Sequence, residues 1–313
     1  MIDAHLHIHP GFSTADLMQY LDREKLEGCW LLTWEEMGPV PWPYLDLNIE
    51  TVYEAFLEFP DRIVPMYAPD PHRPDCVARF RHYYRKGIRG CAELKSALNW
   101  KAPQIQPLLE TVNELALPLV LHMEQGRKGW HFKSPSRFEA FLEKSLSSER
   151  FAGLPRRTIE SVAALYPPLR EKLDGAAFQF PGYLMDFAGL EAAIRQYPDI
   201  RFVGHGPTFW QGISGETPRS LYPREVVNQP GPVQRLLEQY PNFYADLSGR
   251  SGFNALNRDR HHARRFLDQF ASKLLFGTDN YFAGLKTFLE SLGLSDRALR
   301  QIFSDNANRL IRL

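Results

Sequence analysis

Near the start of the chain, two histidines stand one residue apart in Asp3-Ala4-His5-Leu6-His7-Ile8-His9. Side chains alternate across a strand, so in a strand His5 and His7 share one face, about 7 Å apart along it. Two imidazoles so placed can grip one metal ion, and imidazole suits zinc, iron and nickel. By itself the pattern is weak, because ten histidines occur in the chain. More candidates close other apolar runs: His122 in Leu119-Val120-Leu121-His122, His205 in Phe202-Val203-Gly204-His205-Gly206, and Asp279 in Phe276-Gly277-Thr278-Asp279. Each has an ordinary alternative, as a satisfied buried histidine, a loop residue before Pro207 and a helix cap. Alternation in Cys91-Ala92-Glu93-Leu94-Lys95 puts Glu93 and Lys95 on one face. Their ordinary alternative is a salt-bridged pair at a sheet rim.

The elements that would position these groups follow from the apolar pattern. Strands are expected near Ile2–His7, Cys29–Thr33, Ile63–Ala68, Ile88–Leu94, Pro118–His122, Ile200–Gly204, Phe243–Leu247 and Leu274–Gly277. Most are near-continuous apolar runs, as parallel strands buried on both faces require. Helical periodicity fills the intervals, at Ala15–Lys25, Val77–Arg85, Gln104–Leu115, Ala188–Gln196 and Val233–Tyr240. Eight alternations imply an α/β fold, a (β/α)8 barrel, in one domain spanning residues 1–313. A doubly wound sheet would carry a Gly-rich turn after its first strand, where this chain has histidines. The interval between the fifth and sixth strands is too long for one helix, so a helical insertion is expected at about 126–180, as a lid at the barrel mouth or a peripheral packing element. Ser136-x-x-Glu139 fits a capping box there, and Thr158–Leu173 looks helical up to Pro167-Pro168. In such a barrel the C-terminal strand ends converge on one face, so four histidines and an aspartate at four strand ends make metal binding the strong hypothesis.

The order and placement of these residues resemble the amidohydrolase superfamily. Within it, the Asp-x-His-x-His opening is similar to the branch of aminocarboxymuconate semialdehyde decarboxylase, related aromatic-acid decarboxylases and lactone hydrolases. The closing Asn306-Ala307-Asn308-Arg309-Leu310 resembles that branch's ending. The resemblance implies that His5, His7 and Asp279 bind a principal metal. It makes His122 a further ligand or a ligand of a second metal, and His205 a second-metal ligand or a catalytic acid/base. Binuclear members bridge their metals from the fourth strand, a role that falls here to Glu93, with Lys95 binding a substrate anion. Asp279 would shuttle the proton of a metal-activated water, and Asp3 would support the ligands from behind.

The remaining features set bounds. With 37 basic and 37 acidic residues the chain is formally neutral, which argues against bulk attraction to nucleic acid or anionic membrane. No apolar run approaches the length of a membrane span. Cys29, Cys76 and Cys91 are too few and too scattered for a disulfide framework, and no signal segment opens the chain, so a cytoplasmic location is expected. Trp34, Trp100, Trp130 and Trp210 follow strands and could line a pocket or anchor loops. Arg250 could neutralise a substrate carboxylate, and His261-His262 reads as an exposed helix face.

The expectation is a metal-dependent hydrolase acting on an amide, ester or lactone carbonyl of a small molecule. Zinc is the first choice, as one or two ions, with manganese, iron or cobalt as alternatives. A metal-dependent non-oxidative decarboxylase of a small carboxylic acid is the runner-up, and a non-catalytic metal-binding barrel the third reading. A homodimer is expected only from base rates.

Overall fold

The computed structural model describes residues 1–35, 47–132, 135–147, 154–183, 186–216 and 220–313. Numbering strands in chain order, β1 (Ile2–Leu6), β2 (Gly28–Leu31) and β3 (Ile63–Pro65) form one parallel sheet. A second has β4 (Cys91–Leu94), β5 (Pro118–His122), β8 (Arg201–His205), β9 (Phe243–Asp246) and β10 (Leu274–Leu275) side by side, all parallel. Backbone hydrogen bonds join the two sheets at both seams. Arg89 N–H donates to Pro65 and Tyr67 N–H to Gly90, while Ala4 N–H donates to Phe276 and Asp279 N–H to His5. These eight strands are the (β/α)8 barrel.

Its interior is one apolar cluster to which every barrel strand contributes: Ile2, Ala4, Trp30, Leu32, Val64, Met66, Ala92, Val120, Val203, Tyr244 and Leu275. Ala307, Leu310 and Ile311 from the C-terminal segment join it. A larger cluster lies between the strands and the surrounding helices. The first helix, Thr14–Arg23, shows how it is built: Ser13 and Asp16 form a reciprocal cap, and Leu17, Tyr20 and Leu21 face inward at helical spacing. That helix stops short of the expected Lys25, which adopts a positive φ of 56°. The helix after β9 begins on Gly249, and the one before β9 (Pro232–Gln239) opens on a proline, whose missing N–H costs nothing at a first turn. The expected strands run two or three residues too long at β3, β4 and β10.

The C-terminal segment is fastened by one buried side chain. Asn306 Nδ2 donates to the carbonyls of Ala271 and Leu274, both at 2.7 Å. Asn306→Ala leaves both carbonyls without this donor and should cost about 2–3 kcal/mol in urea denaturation. An unchanged midpoint would refute that role.

Residues 126–182 belong to a second compact unit. It contains helices at Arg137–Ser147, Leu154–Leu165 and Pro167–Ala176, with a core of Phe132, Leu142, Leu146, Ala163, Leu173 and Ala176. Ser136 and Glu139 cap its first helix reciprocally. Pro167-Pro168 does more than end a helix, because it opens the next one after a break at Tyr166. A two-stranded ribbon, β6 (Glu124–Trp130) with β7 (Ala177–Tyr183), was not expected from the sequence. Residues 133–134 and 148–153 of the expected insertion lie outside the described residues. No helix among the described residues is long and apolar enough to cross a membrane.

Candidate metal centre

The chemistry-bearing groups gather at the C-terminal ends of the barrel strands, but they get there in two ways. In β5, β8 and β9 the polar residue follows an interior core residue by two: Val120 then His122, Val203 then His205, Tyr244 then Asp246. Strand alternation is enough to aim these three inward. In β1 and β4 the polar residue directly follows the interior one, His5 after Ala4 and Glu93 after Ala92. Both strands carry a register irregularity there, between Asp3 and Leu6 and between Cys91 and Leu94. Such irregularities re-aim a side chain, and these two turn His5 and Glu93 toward the same centre.

His5, His7, Glu93 and Asp279 form its heart. His5 Nε2 and His7 Nε2 are 3.0 Å apart. Glu93 Oε2 lies 3.5 Å from the first and 3.4 Å from the second. Asp279 Oδ1 lies 3.7 and 3.3 Å from the same two nitrogens. Ligand atoms about 2.1 Å from one ion stand about 3.0–3.4 Å apart, so these separations suit one shared cation. The hydrogen bonds make the same demand. His7 Nδ1 donates to the Leu32 carbonyl at 2.9 Å, and His5 Nδ1 donates to Asp246 Oδ2 at 2.5 Å. Neutral rings so tethered would aim two Nε2 lone pairs at each other, which a bound cation or an extra proton must relieve. Burial alone would disfavour a charged His5, yet Asp246 and Glu93 outweigh it and raise its pKa well above the ordinary value. Burial likewise opposes ionisation of Glu93, but Lys95, His122 and His5 hold it well below the carboxylate range. This donor set fits a divalent metal.

A second group joins His5 and Glu93 to His205, and all three are buried. His205 Nε2 stands 3.8 Å from Glu93 Oε1 and 3.6 Å from Asp279 Oδ2. Asp279 is the outermost member, its side chain 32% exposed where Glu93 is fully buried. Of the central carboxylates it is therefore the one a substrate can approach.

Several residues hold this arrangement without belonging to its heart. Asp3 accepts from the backbone N–H groups of His5 and Thr278 and from the hydroxyls of Tyr20 and Thr278, so it ties the end of β10 to β1. Burial pushes its pKa up to about 6 against those hydrogen bonds. Asn280 grips the His7 peptide on both sides, accepting from its N–H and donating to its carbonyl. Gly249, at φ 71°, leaves room that a Cβ would fill 2.8 Å from Asp279 Oδ2. Gly249→Ala should lower stability by about 1–2 kcal/mol and turnover about 10- to 100-fold by displacing Asp279. Thermal melts beside steady-state rates check both, and unchanged rates would contradict the placement.

Asp246 is the important residue that sequence reasoning missed. Burial alone would raise its pKa, but His5 and His205 hold it down at about 2. It closes the seventh barrel strand just as His122 closes the fifth, so the rule applied to the other strand ends would have found it. Orienting partners of metal-binding histidines typically contribute 10- to 100-fold in affinity. Asp246→Asn should weaken metal binding by about that factor, read by chelator competition, and unchanged affinity would remove Asp246 from this role.

Of the other expected residues, Lys95 and His122 lie against Glu93. Lys95 lies 2.6 Å from Glu93 Oε2 and 3.2 Å from the centre of the Trp34 ring, so its ammonium is committed inside the protein. His122 stands between two carboxylates, Glu93 Oε1 at 2.5 Å and Glu124 Oε2 at 3.0 Å, and lies outside both ligand groups. Arg250 is exposed and stacks on Tyr222. Trp34 meets His7 edge-on at the centre, whereas Trp100 packs on Phe202 and Trp210 donates to the Asp246 carbonyl. Trp130 belongs to the second unit, against Arg156. His262 corrects the sequence reading: it is buried beside Gln234 at 3.2 Å, with only His261 on the exposed face.

Comparison with known proteins agrees with this architecture. Three solved structures align with nearly the whole chain. An uncharacterized TIM-barrel protein from Bordetella bronchiseptica is 11% identical, with 99% of this chain and 98% of that one covered and a TM-score of 0.58. A probable 2-pyrone-4,6-dicarboxylic acid hydrolase from Acinetobacter baumannii, with citric acid bound, is 14% identical at a TM-score of 0.52, covering 99% and 98%. A 5-carboxyvanillate decarboxylase from Novosphingobium aromaticivorans, complexed with manganese and 4-hydroxy-3-methoxy-5-nitrobenzoic acid, is 14% identical at 0.52, covering 95% and 79%. At such identities the likeness shows the fold alone. No curated protein matches the chain. The amidohydrolase family model matches residues 45–313, through Asp279 to the C-terminus, and leaves out residues 1–44, which hold β1 and β2. A barrel with carboxylates and histidines converging at its strand ends, matched by that model over most of its length, belongs to the amidohydrolase family.

Proposed function

We propose that the protein is a metal-dependent hydrolase that adds water to an amide, ester or lactone carbonyl of a small molecule. The supporting observation is the span of Glu93, whose Oε2 faces His5 and His7 while its Oε1 faces His122 and His205. A carboxylate with donors on both sides would serve two ligand groups at once, which suits hydrolysis by metal-activated water. His5, His7, Glu93 and Asp279 would hold the ion, zinc by preference, with manganese, iron or cobalt also suited to nitrogen and oxygen donors. When bound, a divalent cation supplies Lewis acidity toward the carbonyl and lowers the pKa of water to about 7.

The chain's own groups account for the rest. Asp279 accepts the proton of the attacking water and returns it to the leaving group, since it alone of the central carboxylates is substantially exposed. His205 Nε2 faces Asp279 and, once it has taken a proton, steadies negative charge developing on the substrate oxygen. Lys95 neutralises Glu93, which leaves Arg250, beside Gly249, to pair with a substrate anion.

One observation favours non-oxidative decarboxylation as a second reading: His205 Nδ1 is tied back to Ser248 and Asp246, and its Nε2 stands 3.6 and 3.8 Å from the Asp279 and Glu93 oxygens. The test is to load the protein with zinc or manganese and count ions per chain. Lactones, esters, amides and aromatic acids are then offered, with acid release followed by pH-stat and carbon dioxide by gas capture. Hydrolysis is the expected result. Carbon dioxide release without hydrolysis, at one ion per chain, would overturn it.

A further inference from the structure

Ser248 lies between two groups of the centre and its hydrogen-bonding is fully determined. Its Oγ is 2.8 Å from Asp246 Oδ2 and 3.0 Å from His205 Nδ1. Asp246 accepts at both oxygens, from Ser248 N–H at Oδ1 and from His5 Nδ1 at Oδ2, so the single Ser248 hydroxyl proton goes to Oδ2. The hydroxyl oxygen must then accept from His205, which puts a proton on Nδ1. Asp246 Oδ2, 3.3 Å from the same nitrogen, requires that proton as well. The backbone reinforces the arrangement, because Ser248 N–H donates to Asp246 Oδ1 at 2.8 Å and fixes the carboxylate plane.

We propose that Ser248 is a positioning residue that fixes the Nδ1-protonated form of His205, so that Nε2 is the nitrogen that exchanges a proton or meets a cation or substrate oxygen. The same Asp246 oxygen receives His5 Nδ1, so one carboxylate orients two histidines, and Ser248 serves the second of them. Removing the hydroxyl leaves His205 Nδ1 with Asp246 alone at 3.3 Å and takes one donor from Asp246 Oδ2, while the His5 Nδ1 bond to that oxygen remains. The effect should therefore fall on turnover and spare metal binding. That kinetic part rests on the centre being catalytic; the tautomer does not.

The test uses the zinc-loaded full chain with 15N-labelled histidine, the His205 signals being identified by their loss in His205→Gln. Long-range proton–nitrogen correlation should show Nδ1 protonated and Nε2 without a proton or metal-shifted. A neutral His205 with the proton on Nε2 would overturn the proposal whatever the variants do. Ser248→Ala should lose the single-tautomer signature and lower kcat about 10- to 100-fold, with KM and zinc content within about 2-fold of the parent. Ser248→Thr, which keeps the hydroxyl, should restore the signature and most of kcat. Zinc loss in Ser248→Ala comparable to that in Asp246→Asn would overturn the proposal by moving the role of Ser248 to the ion. If no substrate is hydrolysed yet the wild-type signature is present, the hydrolase reading fails while the assignment of Ser248 stands.

Discussion

His5→Ala should abolish tight metal binding and lower turnover by at least about 10³-fold. Lewis-acid stabilisation is worth several kcal/mol, and each 1.36 kcal/mol is about tenfold in rate. His5 belongs to both ligand groups, and no described neighbour offers a nitrogen at the same place. The substitution has a structural cost too. Asp246 loses the His5 imidazole in a fully buried setting, and removing one partner of a buried charged pair typically costs about 3–5 kcal/mol. His7→Ala separates the two effects, because His7 Nδ1 is tied to a carbonyl and not to a carboxylate. It should lose metal comparably with a smaller drop in stability. Zinc counted per folded chain, with far-ultraviolet circular dichroism confirming the fold, reads the difference. Full zinc content in folded His7→Ala would remove His7 from the ligand set.

Glu93→Gln should reduce metal content and activity by at least about 10²-fold and also destabilise the protein. The amide keeps the shape but loses the charge that Lys95 and the histidines share. Lys95 is only 3% exposed, so its ammonium would be left buried with Trp34 and no carboxylate at 2.6 Å. Removing the carboxylate partner of a buried ammonium typically costs about 3–5 kcal/mol. The double variant Glu93→Gln/Lys95→Met removes both charges and should recover most of that stability without recovering metal. Denaturant midpoints and zinc counts on the same samples check both. A double variant that binds zinc normally would show that Glu93 acts as the partner of Lys95 and not as a ligand.

Much of the barrel could be read locally. Parallel strands buried on both faces must be apolar throughout, and helices packed against them must be apolar on one side, so period and order already imply the alternation. The strand-end rule also found His122 and His205, because alternation along regular strands is a property of the strand itself. The β6–β7 ribbon was harder, since its strands lack the apolar runs that announce a core strand. His262 misled for a related reason: a histidine in an arginine-rich run looks solvated, and only the packing of its helix against Gln234 shows otherwise.

Residue type and order therefore determined which groups could meet at the barrel mouth and what chemistry they could share. Geometry beyond local periodicity decided how they meet. Plain alternation would send His5 and Glu93 to the face opposite Ala4 and Ala92, yet irregular register in β1 and β4 turns them to the centre. Lys95 and His122 both meet Glu93, His122 facing Glu124 as well, while Asp246 gains its importance from a partner 241 residues away. Strand pairing and ring orientation arise from contacts between segments remote in the chain, and no local pattern encodes them.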